Sequence, residues 1–237
     1  MKENIKTFAE KVNLFNQRLE FKDTLPEGIQ IMNPFKGNDQ ILKISKEFYE
    51  KYYNDKRMRH LILGINPGKN GAGVTGIPFT DTKRMNDKCG IEIQGLMTYE
   101  PSSVFVYDVI EAYGGVEEFY SDFYINSVCP LGFTKISENN RIVNYNYYDS
   151  SDLSNAVYDF IVQSINQQLE FGIKRDVCFC LGTGNNTDFL NILNSTHKFF
   201  DEIISLKHPR YIMQYKTKFK QVYINKYIKQ LKKNNGQ

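Results

Sequence analysis

The chain has 237 residues, 41% hydrophobic and 24% charged, a composition that supports a buried core and argues against disorder. No apolar run approaches the roughly 20 residues that span a bilayer. Met1-Lys2-Glu3-Asn4 leads into a charged amphipathic stretch without a secretory signal, so a cytoplasmic protein with no membrane partner is expected. The formal net charge of +3 is less telling than its distribution: Lys207 to Lys233 contains Lys and Arg but no Asp or Glu, which suits either a polyanion partner or plain solvation.

Apolar positions Ile5, Phe8, Val12, Phe15 and Leu19 fall at helical spacing and predict a helix over about 3–20. Pro26-Glu27-Gly28 and Asn33-Pro34 interrupt the chain before a second helix over 38–53, with Asn38 as its cap. Leu61-Ile62-Leu63, bounded by Gly64, reads as a buried parallel strand. It feeds Gly64-Ile65-Asn66-Pro67-Gly68 and a loop stiffened by Gly71, Gly73, Gly76 and Pro78 before Phe79, with the polar Asn66 at the strand's carboxyl end, where open α/β sheets bind ligands. Residues 80–100 read as loop with a short helix, and 107–113 as a helix stopped by Gly114-Gly115. Residues 123–128 form a strand closed by Cys129-Pro130-Leu131-Gly132, and the Asn-, Ser- and Tyr-rich segment 134–149 reads as exposed loop. A helix over 152–171, a strand over 176–181 stopped by Gly182-Thr183-Gly184, a helix over 187–194 and a strand over 203–206 follow. The chain then passes Lys207-His208-Pro209-Arg210 into a basic helix over 213–233.

Helices alternating with four short apolar strands predict a three-layer α/β/α sandwich around a four-stranded parallel sheet. With no repeat or linker, residues 1–237 read as a single domain: N-terminal helices 1–55, a motif-bearing core 56–210 and a basic C-terminal helix 211–237. Asn66, Asn126 or Ser127, and His208 stand at strand ends and are expected to gather at one edge of the sheet.

Other chemistries fit poorly. The four cysteines form no CxxC pair and lack a histidine at zinc spacing, so no metal site is expected and the thiols read as reduced core residues. The glycines around Asn66 are one residue too close for a Walker A loop, and Asn70 replaces the hydroxyl that holds magnesium. After Gly182-Thr183-Gly184, Thr187 stands where a dinucleotide fingerprint has its third glycine. Cys129 lies among Val128, Pro130 and Leu131, a setting for an inert thiol.

Three blocks in order resemble the uracil-DNA glycosylase superfamily, nearest its single-strand-selective monofunctional (SMUG-type) branch. They are Gly64-Ile65-Asn66-Pro67-Gly68 continuing to Thr75-Gly76-Ile77-Pro78-Phe79, then Val128-Cys129-Pro130-Leu131, then His208-Pro209-Arg210. Two departures mark a divergent, bacterial-type branch. The His-Pro motif passes directly to Arg210, without the Ser-Pro that precedes the arginine in the family. Counted back from Cys129-Pro130-Leu131, the base-reading asparagine is replaced by Ser127, with Asn126 beside it, and either could read the base.

The resemblance implies a monofunctional glycosylase of base excision repair that hydrolyses the N-glycosidic bond of uracil or a 5-substituted uracil such as 5-hydroxymethyluracil. It would act on DNA as a monomer, without cofactor or metal. Asn66 would position water near C1′, and His208 would bond the base carbonyl as charge develops. Phe79 would stack on the flipped base in a pocket walled by Gly64, Ile65, Pro67 and Gly68 together with Ser127 or Asn126. Lys207, Arg210, Tyr211, Lys216 and Lys218 would hold DNA. Two other classes stay open: a non-catalytic nucleic-acid-binding protein of the same fold, separated by product formation on a uracil oligonucleotide, and a nucleotide-binding α/β enzyme using the Gly182 loop, separated by stabilisation with nucleotide.

Overall fold

The computed structural model describes residues 6–234. Helix α1 (Phe8–Arg18) opens on a capping box, in which Thr7 accepts from the Glu10 N–H and the Glu10 carboxylate accepts from the Thr7 N–H at 2.7 Å. Ile5, the first apolar position of that periodicity, lies outside the described residues. Between the two proline breaks runs a strand, β1 (Ile29–Met32), too short to show alternation in sequence. Helix α2 (Asp39–Tyr53) starts at the Asn38 cap, whose side chain accepts from the Ile41 N–H. Strand β2 (Arg59–Gly64) is buried along its whole length.

Short helices α3 (Ala72–Thr75) and α4 (Thr82–Cys89) precede α5 (Pro101–Tyr113), which reaches further back than its apolar residues suggest because Pro101 is favourable in a first turn. Helix α6 (Val116–Asp122) leads into β3 (Phe123–Ser127). The segment expected to be exposed loop is instead two strands, β4 (Gly132–Ile136) and β5 (Ile142–Tyr145). They pair antiparallel, and β4 also pairs with β1, giving a second sheet ordered β1-β4-β5. The strands are short and leave Ile136, Ile142 and Val143 exposed, and the polar residues between and after them concealed the pair. The helix expected over 152–171 breaks at Val157 into α7 (Ser151–Ala156) and α8 (Tyr158–Leu169). Strand β6 (Ile173–Leu181), α9 (Asn185–His197) and β7 (Glu202–Leu206) follow. The basic end is not one helix: α10 (Pro209–Tyr215) and α11 (Lys220–Asn234) are separated by a 3₁₀ turn at Thr217–Phe219.

The main sheet is parallel throughout, ordered β3-β2-β6-β7, as the alternation of elements implied. Neighbouring residues on a strand face opposite layers. Tyr124 meets the rings of Phe8 in α1 and Tyr53 in α2, whereas Phe123 meets Tyr113 in α5 and Phe119 in α6. The start of β2 is sealed by Arg59, which is fully buried. Its guanidinium donates to both Asp55 carboxylate oxygens at 2.8 and 2.9 Å and to the Tyr120 carbonyl at 2.7 Å, and lies over the rings of Phe8 and Tyr53.

Candidate active site

The other end of β2 carries the first motif. Phe79 adopts φ 52°, a left-handed conformation that is rare for an aromatic residue. Its turn is held by Thr75, whose hydroxyl donates to the Thr80 carbonyl at 2.7 Å and accepts from the Ile77 N–H at 3.2 Å. The Phe79 ring lies against Gly64: a Cβ at position 64 would come within 2.9 Å of the ring. The ring centroid is also 5.9 Å from that of His208. Phe79 thereby joins the first and third motifs, which are far apart in the chain.

Asn66 is half-buried and its amide is fixed at both ends. Nδ2 donates to the Tyr145 carbonyl at 3.3 Å, and Oδ1 accepts from the Tyr147 N–H at 3.2 Å. Both partners belong to the region taken from sequence as loop, so the second sheet is what orients this side chain.

His208 caps α10: its Nδ1 accepts from the Arg210 N–H at 3.1 Å. A backbone amide can only donate, so Nδ1 is unprotonated and the neutral ring carries its proton on Nε2. Burial, and secondarily the Arg210 charge, pushes the histidine down to about 4. At neutral pH it is an uncharged Nε2–H donor.

The strand register separates the two candidates for reading the base. Ser127 pairs with Gly64, so its side chain belongs to the row on which the Phe79 ring lies. Asn126 faces the opposite layer, in a small cavity with Phe15, Tyr49 and Pro78. Its amide is already used, donating to the Tyr124 hydroxyl at 2.8 Å and accepting from the Ser127 N–H at 2.8 Å. Ile65 and Pro67 continue the first-motif loop, and the Gly68 carbonyl accepts from the N–H groups of Gly71 and Gly73 at 3.1 and 2.9 Å.

Of the cationic candidates, Lys207 is partly engaged, with its ammonium on the Thr183 hydroxyl at 2.7 Å and over the Tyr211 ring. Arg210 and Lys218 are exposed and Lys216 half-buried, and among the described residues none of the three is within salt-bridge distance of a carboxylate. Tyr215 and Phe219, which the sequence reading passed over, extend Tyr211 into an exposed aromatic row at four-residue spacing. Lys226 to Lys233 lie on α11, which packs along α5 through Tyr227 and Phe105 and carries Lys232 to Tyr113 at the far end of that helix.

Glu100 belongs to none of the three motifs. It precedes Pro101 at the start of α5, inside the stretch taken as loop, and a Glu-Pro pair opening an apolar helix was the available signal. Its carboxylate faces Gly68 and Gly71 and lines a cavity of about 360 Å³ with Asn70, Asn144 and Arg210.

All four cysteines are buried, and burial raises each thiol, Cys129 to about 12, which leaves no ready nucleophile among them. Among the described residues no cluster of three or more His, Cys, Asp or Glu side chains is placed to hold a metal ion. The Gly182 loop is closed by its own side chains, with Thr187 donating to the Gly182 carbonyl and Asn186 to the Leu181 carbonyl.

The parallel sheet thus brings an aromatic ring, an oriented amide and a neutral histidine to its carboxyl edge. A sequence profile of the Uracil DNA glycosylase superfamily matches residues 50–232, and the chain belongs to that superfamily. The crystal structure of wild-type Pedobacter heparinus SMUG2 is similar along nearly its whole length, with a TM-score of 0.95 and 56% sequence identity over 98% of this chain and 99% of that one. No curated protein sequence matches. The chain is a SMUG-like monofunctional uracil-DNA glycosylase, a hydrolytic N-glycosylase acting on DNA.

Proposed function

We propose that the chain excises uracil and 5-substituted uracils, 5-hydroxymethyluracil among them, and that it works as a cytoplasmic monomer. The observation that carries this reading is the contact of the Phe79 ring with both Gly64 and His208, with Ser127 in the same row as Gly64. One chain supplies all of these groups, which supports action as a monomer.

The target base leaves the stack at a cost of a few kcal/mol and is received on Phe79. As the C1′–N1 bond lengthens, negative charge grows on the base and positive charge on the sugar. The His208 Nε2–H donates to a base carbonyl oxygen as that charge develops, and a neutral donor already in place needs no reorganisation. Asn66 holds a water near C1′, its amide kept in one orientation by the Tyr145 and Tyr147 backbone. The Ser127 hydroxyl is shorter than an asparagine amide, reads the base edge with one proton and leaves room beside the 5-position. Gly64, Ile65, Pro67 and Gly68 wall the pocket. Arg210, Lys216 and Lys218 bind phosphates, with Lys207 and Tyr211 beside them.

The test is excision from oligonucleotides carrying uracil or 5-hydroxymethyluracil, read by alkaline cleavage at the abasic product, with EDTA present throughout. The expected result is metal-independent release of both bases, with 5-hydroxymethyluracil at least as good a substrate. Strict preference for plain uracil overturns the role given to Ser127, and an activity that EDTA abolishes and metal restores overturns the mechanism.

A further inference from the structure

Asn66 leaves part of the reaction unserved. An amide is not basic at neutral pH and carries no charge to face a sugar cation. A base stacked on Phe79 and reached by His208 holds its deoxyribose at the mouth of the pocket, between the first-motif loop and the His208–Arg210 turn. Glu100 is bounded by those same two segments. On one side a Cβ at Gly71 would collide with its carboxylate, and a Cβ at Gly68 would lie 3.8 Å from Oε1, so the loop presents bare backbone where the carboxylate stands. On the other side Arg210 lines the same cavity.

The carboxylate is poorly satisfied for its setting. Among the described residues it accepts one hydrogen bond, from the Ser103 hydroxyl at 3.3 Å, and no cation lies within salt-bridge distance. Neighbouring Asp81 is the contrast: it accepts from the Arg84 guanidinium at 3.0 Å, the Arg84 N–H at 2.9 Å and the Glu100 N–H at 2.7 Å. The charged and titratable groups facing Glu100 are Asp81 with its partner Arg84, Arg210, and Tyr99 on the cavity wall. Burial raises the Glu100 carboxyl above the ordinary range; the Ser103 hydrogen bond opposes this, Asp81 adds to it and Arg210 opposes it. A carboxylate raised in this way, beside a cavity bordered by the first-motif loop and Arg210, has the properties of a general base.

We propose that Glu100 is a catalytic residue whose carboxylate faces C1′ and takes a proton from the attacking water. This rests on the placement of the base between Phe79 and His208. The C1′–N1 bond breaks with its electron pair passing to the base. The water oxygen bonds to C1′ and gives one proton to Glu100. That proton then passes to the departing base anion, leaving a free base, an abasic sugar and a restored carboxylate.

The experiment measures single-turnover excision of uracil from DNA by saturating enzyme, from about pH 4.5 to about pH 9, for wild type, Glu100→Gln, Ser103→Ala and His208→Ala, with DNA affinity and melting temperature recorded for each. The wild-type rate should fall on the acid side as Glu100 is protonated. Glu100→Gln should lower the plateau rate by about 10²–10⁴ with unchanged DNA affinity, and should lose that acid limb. Ser103→Ala removes a hydrogen bond that favours the charged form, so its acid limb should move to higher pH; this holds the proposal to account even where Glu100→Gln folds poorly. His208→Ala should be slow yet keep the limb. A folded Glu100→Gln with the wild-type rate, or a slow one that retains the limb, overturns the proposal. A Ser103→Ala limb that stays in place overturns it too. Near-normal His208→Ala removes the base placement on which the proposal rests, a failure distinguishable because Glu100→Gln is then not the variant at fault.

Discussion

Two inward-facing charges lie at opposite ends of strand β2, and the protein treats them differently. At the amino end Arg59 is bound by Asp55 through two nitrogens, donates to a backbone carbonyl and lies against the rings of Phe8 and Tyr53. Beyond the carboxyl end Glu100 has one long hydrogen bond, bare glycine backbone and a cavity. A buried charge with every partner in place holds structure together, while one left short of partners keeps interaction energy in reserve for a ligand. One end of the sheet is closed by its own partners and the other opens on a cavity.

The contrast is broken most forcefully at Arg59. Arg59→Ala empties the buried volume beside the Phe8 and Tyr53 rings and strips Asp55 of its partner. Because Asp55 is itself partly exposed, its charge is screened, and the expected loss of stability is about 3 kcal/mol or slightly more, by urea denaturation. The excision rate per folded molecule should not change. A loss of rate without a loss of stability would show that the two ends are not separable.

The opposite pattern is expected at the open end. His208→Ala should slow single-turnover chemistry by about 10²–10³ and Asn66→Ala should slow chemistry more than DNA binding, both in folded protein. Near-normal rates in both would place the chemistry elsewhere. His208 also carries a pH signature. Its folded value of about 4 lies below its ordinary 6.5, so between those values the unfolded chain binds more protons and stability falls as pH drops. His208→Ala should flatten that part of the stability–pH curve.

A finer contrast lies within β3, where adjacent residues face different layers. Ser127→Asn should shift preference towards plain uracil by about 1–3 kcal/mol of discrimination, the scale of a bidentate base contact. Asn126→Ala should leave the substrate ranking alone and reduce stability by about 1 kcal/mol through the lost hydrogen bond to the Tyr124 hydroxyl. Exchange of these two phenotypes would show that the assigned faces are reversed. The smallest effect is at the surface: Arg210→Glu or Lys216→Glu should weaken DNA binding and flatten the log-affinity against log-salt slope by about 1 for each phosphate no longer neutralised. The same change at Lys229, on α11, should do neither.

How much of this the sequence disclosed follows the same division. Strands β2 and β3 are buried along their whole length and announce themselves as apolar runs. Strands β4 and β5 are short, partly exposed and held by pairing with a distant strand, so their few apolar residues are lost among polar neighbours. Apolar periodicity carries through Ile212, Ile224 and Leu231, which hides the break between α10 and α11. At the site, the short motifs gave the positions of Asn66, Phe79 and His208, and counting from Cys129 favoured Ser127. What holds Asn66 in place, and what brings Glu100 to Gly71, are contacts across long stretches of chain that local spacing does not encode.

The left-handed backbone of Phe79 has an evolutionary consequence. Holding an L-residue with a large side chain there costs roughly 1–2 kcal/mol, which glycine would not incur. Removing the ring would cost more, about 3–5 kcal/mol, because it is 9% exposed and packs on Gly64. Glycine relieves the turn and empties the core, while a β-branched residue fills part of the core and cannot take the turn. Descendants of this chain that keep the fold therefore have few exits at position 79 and should keep an aromatic ring there.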